Sequence, residues 1–161
     1  MARVLVAVPI VSTRFLGGFE FSVLIFTDQF VSHIRNVKRV GRASIISPLA
    51  SPLSLLAFGL SGKAREFIES IEKLRGVELR EEDLRPPNVG KKSYTIRYSE
   101  VRKIRVSTGG GMVIEIHTSK AKHKHRVAVG LYKEIGKDKE EVYNDILQAL
   151  KRVPAKVEIS S

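Results

Sequence analysis

Hydrophobic and polar positions alternate in short blocks over the first thirty-odd residues. The run 4–11 (VLVAVPIV) reads as a first strand, Gly17-Gly18 then break the pattern, and 19–26 (FEFSVLIF) forms a second strand. Thr27-Asp28-Gln29 supplies turn chemistry before a third strand at 30–34. A period of two places Phe19, Phe21, Val23 and Ile25 on one face of the second strand and Leu24 and Phe26 on the other, so its far end is predicted to be buried on both sides. Beyond Arg35 the chain turns basic and then rich in proline and serine. A helical period starts only after Gly62, where Ala64, Phe67, Ile68, Ile71 and Leu74 share one helix face and Gly76 is placed to stop the helix. The charged stretch 77–92, with Pro86-Pro87 and Gly90, reads as a connecting loop.

Strand patterning returns in the second half. Tyr94, Ile96 and Tyr98 share one face, as do Ile104 and Val106, and 107–111 (STGGG) is a hairpin turn because glycine alone accepts a positive φ at little cost. Residues 112–118 and 124–129 form a second hairpin around 119–122. Asp138 with Glu141 three residues on marks a helix start, Val142, Tyr143, Ile146, Leu147 and Leu150 form its apolar side, and Pro154 ends it. The predicted order is three strands, a helical insertion, about four strands and a closing helix, all in one domain over 1–161 with the insertion at about 43–92.

Particular phrases give this order a likeness. Leu24-Ile-Phe-Thr-Asp28 resembles the strand end of bacterial and archaeal pleckstrin-homology-like domains. Tyr94-Thr-Ile-Arg-Tyr-Ser-Glu-Val-Arg-Lys-Ile-Arg-Val106 resembles the element in which their chain leaves one strand, bends and enters the next. The leucine-rich insert 47–62 followed by a charged helix is similar to an insertion of some prokaryotic members. The resemblance implies a mainly β fold: a bent antiparallel barrel of about seven strands, built from 4–34 and 94–129 and plugged by a C-terminal helix at 139–153. It implies binding rather than catalysis. The basic first-loop motif of lipid-binding members has no counterpart here, since 12–18 carries only Arg14.

Charge sharpens the expectation of a partner. The 161 residues carry 28 Lys+Arg against 17 Asp+Glu, a net +11, which favours polyanions or acidic surfaces. Residues 1–90 hold 12 basic and 9 acidic side chains, and 91–161 hold 16 and 8, so the excess lies in the second half. Lys120, Lys122, Lys124 and Arg126 alternate along a predicted strand and point to one side; with Arg102, Lys103 and Arg105 they form a candidate anion- or nucleic-acid-binding surface. The bland alternative is a solvated face whose edge lysines discourage aggregation. A second candidate, for docking to an acidic protein or an anionic membrane, combines Arg35, Lys38, Arg39 and Arg42 with Leu55, Leu56 and Phe58 of the apolar insert. That insert could equally fold over the barrel.

Other chemistry is thin. Cysteine is absent, which excludes disulfides and thiolate sites. His117, His123 and His125 invite a metal reading, but their spacing is unspecific and no metal or cofactor is expected. Adjacent acids at 81–83 and 140–141 make no facing pair, no G-x-S-x-G occurs, and no catalytic residue is expected. Of the aromatics, Tyr98 is the candidate for exposure. The opening residues read as a strand rather than a leader, which sets a cytoplasmic expectation, and the lysine-, arginine- and glutamate-rich, cysteine-free composition would suit a thermophile.

Overall fold

Strand β1 (Ala2–Thr13) has three partners. Strand β2 (Phe19–Thr27) runs antiparallel along it, β4 (Glu78–Leu79) pairs with Ala2 and Arg3, and β8 (Lys122–Val127) pairs with Ile10 and Val11. The computed structural model describes residues 1–13, 19–35, 64–85 and 88–161. Within them, β3 (Phe30–Ile34), β5 (Tyr94–Arg97), β6 (Val101–Ser107), β7 (Val113–Thr118) and β9 (Val157–Ser160) complete a nine-stranded sheet of order β5-β3-β2-β1-β8-β7-β6-β9, with β4 off this path. Among the described residues only β6 and β9 pair in parallel, and the other neighbours are antiparallel. Helices α1 (Ala64–Lys73) and α2 (Lys139–Leu150) and a 3-10 segment, Val129–Ile135, pack against it.

The fold is mainly β, as the patterning predicts, with two strands more than expected. Strand β4 lies inside the stretch read as a loop, and β9 follows Pro154; at two and four residues, neither is long enough to display a period. The ladder does not close either: its path ends at β5 and β9, so the sheet is open. It is nevertheless strongly rolled. Strands β3 and β8 are three steps apart, roughly 14 Å in a flat sheet, yet the His33 and His125 rings meet with centroids 4.3 Å apart.

The inner surface carries Val8, Ile10, Leu24, Phe26, Val31, Ile104, Val106, Ile114 and Ile116, all buried. Helix α1 buries Phe67, Ile68 and Ile71, and Gly76 ends its turn at φ 82°, where glycine avoids the Cβ clash. Helix α2 buries Val142, Ile146, Ala149 and Leu150 and is capped by Asp138, whose carboxylate accepts from the Glu141 N–H at 2.9 Å. Both helices reach the Val4 end of β1: Gly76 N–H donates to the Val4 carbonyl, and Arg75 is paired with Asp145 of α2. Among the described residues no helix is long and apolar enough to cross a membrane.

The β2–β3 turn rests on one hydroxyl. Thr27 Oγ1 accepts from the N–H groups of Gln29 (3.1 Å) and Phe30 (2.9 Å) and donates to the Phe30 carbonyl (2.8 Å). The Tyr98 hydroxyl donates to the Thr27 carbonyl at 2.7 Å, and Tyr98 is only 7% exposed, which corrects its reading as an exposed aromatic. Its partner lies 71 residues away, so local alternation could not show it. Thr27→Val is expected to lower stability in urea unfolding by about 1–3 kcal/mol, because it leaves the buried Phe30 N–H unpaired, and Tyr98→Phe by about 1 kcal/mol.

Candidate functional site

Cross-strand register sets the charged face. Strand β8 alternates exposed Lys122, Lys124 and Arg126 with inward His123, His125 and Val127. Its neighbours bring Lys103 and Arg105 of β6 to the same outer side, in rows Lys122–His117–Lys103 and Lys124–Glu115–Arg105. Five of the seven predicted anion-contacting cations therefore share one face. Arg102 sits at the register irregularity between Val101 and Lys103, and Lys120 lies in the β7–β8 turn; both are exposed but off the rows.

Two carboxylates are set among these cations. Glu158 of β9 is held by Lys103 and Lys156, each at 3.3 Å, and hydrogen bonds from those ammonium groups hold its carboxyl below the usual range. Glu115, largely buried under the rim, lies 3.7 Å from Lys122 and 3.7 Å from His117. Arg105, Lys124 and Arg126 make no ion pair among the described residues, so their charge faces outward.

A third row on this face is less polar. Val11 stands opposite both Phe21 and Arg126, Arg126 opposite Val113, and Val113 opposite Ser107. Phe21 is 36% exposed and Val11 and Val113 are half-buried. The period of two puts Phe21 on one face with the buried Val23 and Ile25, and alternation does not reveal where the cover over that face stops.

The inner surface holds a second cluster at the Ile10 end of β1. Ser22, paired with Ile10, shares a 2.8 Å hydrogen bond with His33 Nε2, and the Tyr94 hydroxyl one of 2.5 Å with His125 Nε2. The Tyr94 ring also lies 4.4 Å from that of His123. Outside this stack, Arg35 is bound to Glu20 at 3.0 Å, and Glu20, Arg35, Gly90, Lys91 and Lys92 line an open cavity of about 310 Å³. Arg35 thus belongs to this mouth and not to the outer basic face. The remaining predicted docking residues, Lys38, Arg39, Arg42, Leu55, Leu56 and Phe58, lie outside the described residues.

The histidines are divided by register. His123 stands opposite Ile116 and His117 opposite Lys122, so His117 faces outward while His123 and His125 face the interior. His117, His123 and His125 therefore do not converge, and among the described residues no group of three or more metal-binding side chains gathers. His33 and His125 are held neutral. Burial, then the nearby His125, Arg35 and His123, lower His33 to about pKa 3, and burial, then His123 and Arg35, lower His125 to about 4. Burial pushes the Tyr94 hydroxyl up, which keeps it protonated.

The pairing of His33 and Tyr94 with the β8 histidines was not visible in the sequence. His33 sits in an apolar strand 92 positions before His125, and only the roll of the sheet joins them. No family model matches the chain, and no curated protein and no solved structure matches it.

These depressed histidines set a pH dependence. Both folded values lie below the unfolded value of 6.5, so the folded state binds fewer protons, and the stability is fully present above pH 6.5 and is lost as pH falls towards 3. At about 1.4 kcal/mol per pKa unit the loss amounts to several kcal/mol. Urea midpoints measured from pH 7 to pH 4 are expected to fall steeply in the wild type and about half as far in His33→Gln, whose amide can still meet Ser22 while His125 still titrates.

Proposed function

We propose that this chain is a non-enzymatic, cytoplasmic binding module of the pleckstrin-homology-like type, which docks onto an acidic protein partner through the outer face of β6, β7 and β8. The observation that carries the reading is the gathering of Lys103, Arg105, Lys122, Lys124 and Arg126 on one face by the ladder register. The family likeness draws support from seven antiparallel strands, β1–β3 and β5–β8, followed by α2. Binding rather than catalysis is supported by the burial of the nearest approach to a nucleophile and base: Ser22 and His33 are 2% and 7% exposed.

The mixed character of the face favours protein over membrane. Glu158 stands among the cations and the half-exposed Val11 and Val113 flank Arg126, an arrangement that a protein of complementary charge can match and a uniformly anionic bilayer cannot. A second reading, nucleic-acid binding, rests on Lys122, Lys124 and Arg126. Their two-residue repeat, roughly 6–7 Å, lets one strand follow a phosphate backbone.

Fluorescence anisotropy separates these readings. Labelled probes are a glutamate- and leucine-containing peptide and a single-stranded oligonucleotide, titrated from low to near-physiological salt, with phosphatidylserine vesicles in parallel sedimentation. Peptide binding is expected to persist at near-physiological salt and to weaken at least tenfold when Lys122, Lys124 and Arg126 are all replaced by alanine. Oligonucleotide binding alone, with a salt slope that flattens in that variant, would replace the protein reading with the nucleic-acid one. Binding to vesicles alone would return the membrane.

A further inference from the structure

The outer face has a shape as well as a charge. Phe21, Val11, Arg126 and Val113 form one continuous cross-strand row over β2, β1, β8 and β7. From Phe21 to Val113 is three strand spacings, roughly 14 Å. The next row, through Lys124 and Arg105, runs beside it at two residues' distance, roughly 6–7 Å. An apolar line, interrupted by Arg126, is thus bordered on one side by Lys124 and Arg105, with the largely buried Glu115 between them.

The chain already covers part of this face with a helix. Phe67 of α1 packs on Phe21 with ring centroids 6.0 Å apart, and Val23 and Ile25, on the same face of β2 as Phe21, are fully buried. Helix α1 is itself amphipathic and carries Glu66, Glu69 and Glu72. Val11 and Val113 prolong the apolar line beyond Phe21 and are only half-buried.

We propose that this row receives an acidic amphipathic helix of a partner protein, lying across the strands with its apolar side on Phe21, Val11 and Val113 and carboxylates on one flank over Arg126, Lys124 and Arg105. The inference rests on the acidic-protein reading above and names the form of the partner. A helix fits where an extended segment does not, because the backbone groups of these strands are already spent on the ladder. A strand laid flat on the face would leave its own N–H and C=O groups unpaired against apolar side chains, whereas a helix satisfies them internally. At 1.5 Å per residue the row takes about ten residues, and apolar positions at i, i+4, i+7 and i+11, about 16 Å from first to last, cover it from end to end.

The test uses the whole chain and two peptides of identical composition, about fourteen residues long. One has leucines at those four positions with glutamates along one flank; the other is rearranged so that a central proline and scattered leucines prevent an amphipathic helix. Anisotropy is read for wild type, Val113→Glu and Lys124→Glu, with amide shifts mapped by NMR and thermal midpoints recorded to establish that both variants fold. The helical peptide is expected to bind at least tenfold more tightly than its control, to lose at least tenfold with either variant, and to shift the amides of Val11, Val113 and Arg126. Equal binding of the two peptides, or tight binding unaffected by Val113→Glu, would overturn the helix while leaving an acidic partner in place. If neither peptide binds and an oligonucleotide does, the acidic-protein reading fails with it.

Discussion

Two ladder pairs, Ile10 with Val127 and Val11 with Arg126, join the halves of this sheet, reinforced by the Ala128 N–H donating to the Pro9 carbonyl at 2.8 Å. On one side of that seam stand β1, β2, β3 and β5, and on the other β8, β7, β6 and β9. So short a seam leaves the halves free to roll about it, and the roll brings His33 against His125 and the Tyr94 hydroxyl to His125 Nε2. The same seam makes the outer row continuous, since Val11 and Arg126 are the members that meet across it. Interior cluster and exterior row are thus two faces of one junction.

Electrostatics divides the two faces. Outside, cations stand in solvent with Glu158 tempering the Lys103 side, and their attraction for an acidic surface is long-ranged and falls with salt. Inside, burial forbids charge. His33 and His125 stay neutral and spend their ring nitrogens on the hydroxyls of Ser22 and Tyr94, which satisfies polar groups that would otherwise be costly at that depth. Arg35 and Glu20 at the mouth mark where ionised groups become affordable again, as a pair.

Local elements were largely legible in the sequence and the junctions between them were not. The extents of β2 and β3, the periodic face of α1, its stop at Gly76 and the Asp138 cap all follow from rules spanning a few residues. The outward set Lys122, Lys124 and Arg126 was legible for the same reason, because alternation alone fixes it. The histidines were not: whether His117 joins His123 depends on hairpin register, and a slip of one residue exchanges the faces. Tyr98 was misplaced because its buried partner, Thr27, is remote in the chain. The apolar row was hidden because its members come from four strands, each contributing one residue to a line that no single segment displays.

The way the sheet is assembled has a kinetic side. Strands β1–β2–β3 and β6–β7–β8 are two meanders whose neighbours follow each other in sequence, so each can form after closing only short loops. The contact that unites them is of another kind: Ile10 meets Val127 across more than a hundred positions. Loop-closure entropy is therefore concentrated on the seam, whose ladder pairs span the longest separations along the chain, and the meeting of His33 with His125 depends on that same closure.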